Sequence, residues 1–108
     1  MYAIAFDLDK ANLEASYGKP SWNNAYKDIE TVLTGHGFSR QQGSVYFGDA
    51  TVNAVTCVMA IMDLTTRHPW FAASAKDVRM LRVEDNNDLK PAIIRAADQS
   101  KSTAKPAA

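Results

Sequence analysis

The sequence predicts an α+β fold, and three observations predict it. The chain opens on a segment in which large and small side chains alternate, as they do in a strand with one buried face. Two later segments repeat apolar residues at helical spacing. Short alternating segments lie between these helices and after the second of them. The 108 residues suit one domain, which we expect over residues 1–98, with 99–108 as a small, polar, disordered tail.

The first strand is predicted over Tyr2–Asp7. Its large side chains should face the core, and they are those of Tyr2, Ile4, Phe6 and Leu8. The opposite face carries Ala3, Ala5 and Asp7. A face of small side chains is expected where a second surface packs closely, and in this strand that face ends in a carboxylate.

Two helical segments and a hairpin follow this strand. The first helix is predicted over Lys10–Tyr17, and the second begins after Ser21, a plausible N-cap, and ends at Gly35 or Gly37. The apolar positions of the second helix are Trp22, Tyr26, Ile29 and Leu33. Two short strands then form a hairpin around glycine: Phe38–Gln42, Gly43 and Ser44–Phe47.

The third helix is expected to begin at a cap supplied by Asp49 or Thr51 and to run to about Arg67. Its apolar stripe, which should face the core, consists of Val52, Val55, Met59 and Met62. Trp70–Ala75 predicts a single helical turn. A final helix, capped by Asp88, is expected to carry Leu89, Ile93 and Ile94.

The last strand is predicted over Val78–Glu84, and its apolar residues fall on both of its faces. One face carries Val78, Met80 and Arg82, and the other carries Asp77, Arg79, Leu81 and Val83. The element order β-α-β-β-α-β is that of the ferredoxin-like fold, a four-stranded antiparallel sheet with helices on one face, here followed by a C-terminal helix. The second face of the sheet stays open, and a homodimer is the natural way to cover it.

Composition narrows the function classes. Formal net charge is +0, from 12 Lys+Arg and 12 Asp+Glu, so a protein that coats nucleic acid through bulk charge is excluded and a local basic patch is expected instead. The single Cys57 excludes an intramolecular disulfide and a cysteine zinc cluster. No secretory signal pattern and no apolar run of about 18 residues is present, so we expect a cytoplasmic protein without a membrane partner.

Asp7 is the first candidate for chemistry. RNA cleavage needs a base that activates the 2′-hydroxyl, or a metal that activates water, and a carboxylate at a strand end can serve either purpose. The alternative is that Asp7 caps the following turn. Asp7-Leu8-Asp9 is also similar to the Asp-x-Asp start of the haloacid-dehalogenase phosphatases, although the chain is short for their doubly wound sheet.

Several other side chains could contact RNA. Ser44, at the hairpin exit, could bond a phosphate, and Tyr46 could stack on a base or contact a partner copy. The basic candidates for phosphate contacts are Arg40, Lys76, Arg79 and Arg82. For each of these residues the alternative is an ordinary turn, core or solvated position. His36 and His68 belong to different connections, and we do not expect a two-histidine ribonuclease.

Five short motifs, in this order and spacing, resemble the virulence-associated protein D (VapD) family. They are Met1–Leu8, Tyr17-Gly18, Gln42-Gly43-Ser44-Val45-Tyr46, Trp70-Phe71 and Val83-Glu84-Asp85. The resemblance extends from residue 1 to about residue 89. It implies a ferredoxin-like homodimer related to the small nuclease subunit of CRISPR adaptation systems. It also implies endoribonuclease activity and, in some members, the role of the toxin in a toxin–antitoxin pair, with an antitoxin protein as partner.

Matched motif by motif, the resemblance implies that Asp7, Ser44 and Asp77 are catalytic and that Leu13 shapes the substrate site. Asp9 departs from the family pattern, since a second acid is not expected there. We add Arg40, Tyr46 and Arg79 as substrate-binding candidates. Asp7 is predicted to be either a general base or a ligand of Mg²⁺. A non-catalytic dimeric module that binds RNA or protein is the alternative, because one fold hosts many functions.

Overall fold

The computed structural model describes residues 1–18 and 20–104, with side chains as far as Lys101, and shows a four-stranded sheet with helices on one face. The strands are β1 (Tyr2–Leu8), β2 (Phe38–Gln42), β3 (Val45–Gly48) and β4 (Ala75–Arg82). The helices are α1 (Lys10–Tyr17), α2 (Ala25–Gly35), α3 (Ala54–Arg67), α4 (Trp70–Ser74) and α5 (Lys90–Ala104), and the 3-10 turn Trp22–Asn24 precedes α2. The sheet order is β2-β3-β1-β4 and every pairing is antiparallel. The predicted ferredoxin-like arrangement is confirmed.

The central strand β1 divides the sheet into the two faces that its alternation predicts. On the helix face, Ile4 and Phe6 are buried in the core, and the Phe6 ring lies 6.0 Å from Tyr46 and 6.1 Å from Phe71. On the opposite face, which we call the open face, Ala3 is paired with Phe47 of β3 on one side and with Leu81 of β4 on the other. A small residue between two large neighbours keeps this face smooth.

Of the four apolar residues expected to bury α3, Val52, just before the helix, is in the core, but the prediction was wrong for the other three. The residues of α3 that enter the core are Cys57, Ala60 and Leu64, whereas Val55, Met59 and Met62 are exposed. Apolar residues occupy both sides of this helix, so periodicity could not decide between them. The smaller side chains at positions 57 and 60 face inward, as close packing of the helix on the sheet requires.

The cap of α3 also differs from the prediction. Asn53 is the N-cap, its Oδ1 accepts the Thr56 N–H at 3.0 Å, and the Thr56 hydroxyl accepts the Asn53 N–H at 3.3 Å. The two contacts form a capping box. Asp49 instead accepts the Thr51 N–H at 2.8 Å and so holds the turn before the helix.

The C-terminal part of the chain is more regular than predicted. The last strand begins at Ala75 and ends at Arg82, earlier at both ends than the predicted strand. The final helix α5 runs to Ala104, so the expected disordered tail is helical over 99–104, and the remainder of that tail lies outside the described residues. At the start of this helix the Asp88 carboxylate accepts the Lys90 N–H at 2.9 Å, and the Leu89 carbonyl accepts the N–H groups of Ala92 and Ile93.

Gly48 provides a test of the packing between β3 and α3. A Cβ at Gly48 would lie 2.6 Å from the Cβ and Cγ1 of Val52, whereas a Cβ at Gly35 meets nothing within 4 Å. We expect Gly48→Ala to lower the free energy of unfolding by about 1–3 kcal/mol through overpacking. The matched Gly35→Ala should raise it by up to about 1 kcal/mol, because alanine favours the helix. Urea denaturation measures both, and equal effects would contradict this account.

Candidate active site

Two carboxylates face each other across the pairing of β1 with β4. Asp7 and Asp77 are direct partners in the antiparallel ladder, both are exposed, and both lie on the open face. Directly opposite residues have Cβ atoms about 4.5–5.5 Å apart, a distance at which like charges repel. The sequence left the orientation of the last strand undecided, and the structure turns the Asp77 face toward Asp7.

The strand pairing is irregular immediately beside these carboxylates. The register passes from Asp7 opposite Asp77 to Leu8 opposite Ala75, which leaves Lys76 as an extra residue in β4. A bulge of this kind bends the strand and redirects neighbouring side chains, and bulges are frequent beside active sites. The exposed Lys76 therefore lies next to the carboxylate pair in the chain, which is a suitable position for a phosphate contact.

The two carboxylates differ in their surroundings. The Arg79 Nε donates to Oδ1 and Oδ2 of Asp77 at 2.8 and 3.1 Å. The carboxylate of Asp7 forms no hydrogen bond or ion pair with any residue that the structure describes. Ala5, next on the same face, offers only a methyl group. Asp7 is therefore free to accept a proton or to bind a cation, while the charge of Asp77 is matched by Arg79.

Ser44 reaches the same end of β1 from the hairpin. Its carbonyl oxygen accepts the N–H of Phe6 at 3.1 Å, which places the turn beside the residue that precedes Asp7. Gly43 makes this turn with a φ of 49°, a conformation that glycine adopts at little cost. The Ser44 hydroxyl makes no hydrogen bond within the described part of the chain. The fold thus brings Asp7, Ser44 and Asp77 to one end of the sheet, although Ser44 lies opposite Phe6 and so belongs to the helix face, whereas the two carboxylates lie on the open face.

Asp9, the departure from the family pattern, caps α1. Its Oδ1 accepts the Asn12 N–H at 2.8 Å, and its own N–H donates to the Ser74 carbonyl at 2.7 Å. The carboxylate of Asp9 therefore satisfies the helix end. The antiparallel sheet also rules out the doubly wound architecture in which an Asp-x-Asp phosphatase site is built.

Leu13 and Tyr46 were predicted to contact substrate, and the structure corrects both predictions. Leu13 lies on the buried side of α1 and is fully buried, and Tyr46 is 2% exposed, so neither side chain has a surface to offer RNA or a partner copy. Tyr46 points to the helix face, where it stacks on Phe6, and burial raises the pKa of its hydroxyl above the ordinary value.

The predicted basic strip is divided between the two faces. Arg40 is the partner of Tyr46 and so lies on the helix face, where its Nε donates to the Gly43 carbonyl at 2.9 Å. Arg79 is the partner of Ala5 and lies on the open face. Of the two arginines chosen as substrate ligands, only Arg79 shares a face with the carboxylates.

The carboxylate pair fits the ligand preference of Mg²⁺. Among the described residues no group of three or more His, Cys, Asp or Glu side chains is arranged to hold a metal. However, Mg²⁺ commonly uses one or two carboxylates and completes its shell with water and substrate phosphate. Asp7 and Asp77 are the residues that would hold such an ion.

A polar cleft on the open face was not predicted from the sequence. Its volume is about 500 Å³, and it is lined by Gln41, Gln42, Val45, Phe47, Asn86 and Asp88. Asn86 and Asp88 come from the segment 83–89, which crosses from β4 toward β3. No periodicity marks the path of an irregular segment, so nothing in the sequence signalled this cleft.

Fold and site together define a small ferredoxin-like α+β protein with a carboxylate pair on its open sheet face. No family model matches the chain. It is 50% identical over 93 residues, 86% of this chain and 99% of the relative, to a protein of Riemerella anatipestifer named endoribonuclease VapD 2. A Helicobacter pylori protein named endoribonuclease VapD homolog is 52% identical over 93 residues, 86% of this chain and 96% of the relative. Endoribonuclease VapD of Dichelobacter nodosus is 43% identical over 97 residues, 90% of this chain and 100% of the relative.

The chain therefore belongs to the VapD family, as its motifs suggested. Within residues 1–18 and 20–104, no helix is long and apolar enough to cross a membrane.

The opposed carboxylates predict an unusual effect on stability. Replacing Asp7 by Asn removes a like-charge contact and no described hydrogen bond, so we expect the free energy of unfolding to stay constant or rise by about 0.2–1 kcal/mol. Asp77→Asn is the matched control, and it should give no such gain because it also removes the Arg79 contact. Urea denaturation in low salt and in 1 M NaCl tests this, since salt should shrink the gain. Loss of stability in Asp7→Asn would show that the carboxylate has a structural role.

Proposed function

We propose that this chain is an endoribonuclease that cleaves single-stranded RNA, with Asp7 as the residue that acts on the reacting hydroxyl. One observation carries the proposal: the Asp7 carboxylate on the open face has no partner among residues 1–18 and 20–101, and it lies directly opposite a second carboxylate. A pair of like charges is unfavourable for folding, and such arrangements are characteristic of functional sites. The names of the relatives support the same reaction.

The chemistry that fits this site is attack by a ribose 2′-hydroxyl on the adjacent phosphate. Asp7 accepts the proton of the 2′-hydroxyl as its oxygen bonds to phosphorus. The P–O5′ bond then breaks, which leaves a 2′,3′-cyclic phosphate on one fragment and, after water supplies a proton, a 5′-hydroxyl on the other. General base catalysis of this kind contributes about 10²–10⁴-fold to a rate.

Arg79 and Ser44 are suited to orient the phosphate. Asp77 engages the Nε of Arg79, which fixes the guanidinium while its Nη groups remain available for phosphate oxygens. The Ser44 hydroxyl, on the helix face at the same end of β1, can donate to a phosphate oxygen where the RNA passes around the end of the sheet. Asp77 is then a positioning residue that acts through Arg79, and the bulge residue Lys76 supplies additional positive charge.

Single-stranded RNA suits the surface around the carboxylates. The polar cleft beside the hairpin offers amide groups from Gln41, Gln42 and Asn86, which can bond the edges of unpaired bases. A duplex would hide those edges, because RNA-binding proteins that read bases act mostly on unpaired segments.

We further propose that the active unit is a homodimer joined through the open face and that it is the toxin of a toxin–antitoxin pair. On the open face the exposed Leu81 lies beside the small Ala3, an apolar surface that a second copy could cover while the cleft lined by Val45 and Phe47 stays open to RNA. A two-fold axis would bring two Asp7 residues to one assembly. The family resemblance supports an antitoxin protein as the partner that controls this activity.

The central prediction concerns RNA cleavage by purified protein. Wild type should cut a labelled single-stranded RNA, and Asp7→Asn should lose at least about 100-fold in rate, because the base is gone. Asp98→Asn makes the same chemical change on the exposed surface of α5 and should retain full activity. The products should carry cyclic phosphate and 5′-hydroxyl ends. Intact RNA after incubation with wild type, combined with measurable binding, would favour a non-catalytic binding module.

Chelation separates the two roles that a carboxylate can take. We expect cleavage to persist in excess EDTA, because a general base needs no metal to accept the 2′-hydroxyl proton. A rate that falls in EDTA and returns with added Mg²⁺ would make Asp7 and Asp77 metal ligands instead. In that case Mg²⁺ should raise the melting temperature of wild type but not of Asp7→Asn.

A further inference from the structure

Helix α3 is apolar around its whole circumference over its first two and a half turns. From Ala54 to Met62 it contains no charged residue. Cys57, Ala60 and Leu64 face the core. The opposite side, which we call the α3 stripe, consists of Val55, Val58, Met59 and Met62, each more than half exposed. A helix that is apolar on all sides is normally buried on all sides.

The α3 stripe continues into a groove beside the edge strand. This groove has a volume of about 260 Å³ and lies between α3 and β4, and its walls include Ile4, Val58, Ile61, Met62, Val78 and Met80. Met80 is itself about half exposed. With on the order of 100 Å² from each of five half-exposed side chains, the surface approaches 500 Å², the size of the largest apolar patch on a typical monomer, and patches of that size are often interaction sites.

Helix α5 also leaves apolar side chains uncovered. Every side chain of 89–101 is exposed, although Leu89, Ile93, Ala96 and Ala97 repeat at helical spacing along one side. An isolated helix of 15 residues is only marginally stable in water, so most of its stability must come from packing. The molecule thus carries one uncovered apolar groove and one helix whose apolar side is uncovered.

The path of the chain directs α5 away from its own groove. Asn86 and Asp88 of the segment 83–89 line the polar cleft of the open face together with Val45 and Phe47 of β3. The groove lies on the other face of the sheet, at the β4 edge. The helix therefore starts on the wrong face and at the wrong edge to fill the groove of its own chain.

We infer that the α3 stripe and the groove between α3 and β4 together form the docking site for α5 of a second copy of this chain. Two symmetric contacts of about 500 Å² on each partner bury on the order of 2,000 Å², which a stable dimer needs. The inference rests on the proposed homodimer but not on RNA cleavage. Exchanged C-terminal helices would tie together the two copies whose open faces meet.

Disulfide trapping between different chains tests this docking directly. One chain carries Met59→Cys and the other carries Ile93→Cys with a size tag, and the two are mixed and oxidised. We expect the mixed-size disulfide dimer to form at least about fivefold faster than with Ala15→Cys in place of Met59→Cys, since Ala15 is exposed on α1. The native Cys57 is buried and can be kept.

Three results would overturn the inference. One is an equal yield with the Ala15→Cys chain. Another concerns a chain that carries both Met59→Cys and Ile93→Cys. If its main product at low concentration is an intrachain disulfide, α5 folds back on its own chain. The third is a predominant Met59→Cys homodimer, which would mean that α3 packs on its symmetry mate or that another partner covers the groove.

Light scattering provides a second measurement that does not depend on cysteine chemistry. Ile93→Lys should raise the dimer dissociation constant at least tenfold, and Asp98→Lys, on the opposite side of α5, should leave it within about twofold. An unchanged dissociation constant for Ile93→Lys would overturn the inference. RNA cleavage measured on the same samples separates this outcome from failure of the proposed nuclease activity, because Asp7 remains intact in both variants.

Discussion

The pairing of β1 with β4 is the interaction on which the rest of the molecule depends. It joins the first and last strands of the fold, so it forms only when the whole chain has been brought together. Ile4 and Phe6 fix β1 from the helix face by packing in the core. With that face fixed, the strand period of two places Asp7 on the opposite side. The register with β4 then sets Asp77 directly across from it.

A site built in this way opposes folding locally. Two carboxylates meet across the ladder, and a bulge interrupts the pairing at Lys76. Both features are tolerated because the core beneath them is well packed, with Phe6 between Tyr46 and Phe71. Arg79 matches the charge of Asp77 but not that of Asp7. The remaining charge on Asp7 is the property that an acid–base site requires, which links the local instability to the proposed reaction.

The sequence predicted those parts of the structure that depend on local pattern. The alternation in Tyr2–Leu8 identified the central strand and both of its faces, and turn residues located the hairpin that carries Ser44. The prediction failed for α3, where both sides of the helix carry apolar residues, because periodicity cannot tell which of two apolar sides is buried. It also failed for Tyr46, whose place on the helix face follows from its pairing with Ile4. The pairing of Asp7 with Asp77 depends on a register between distant segments, which no local pattern contains.

The uncovered surfaces have a common physical origin. A four-stranded sheet with helices on one face can bury only one side of the sheet and the inner sides of its helices. In this chain the apolar residues exceed that capacity, since they extend over Phe47 and Leu81 on the open face and over the outer side of α3. The segment after β4 lines the cleft of the open face. It leads into α5, whose apolar side fits the outer side of α3. One pair of copies could thus cover both surfaces, and the two Asp7 carboxylates would lie within the same assembly.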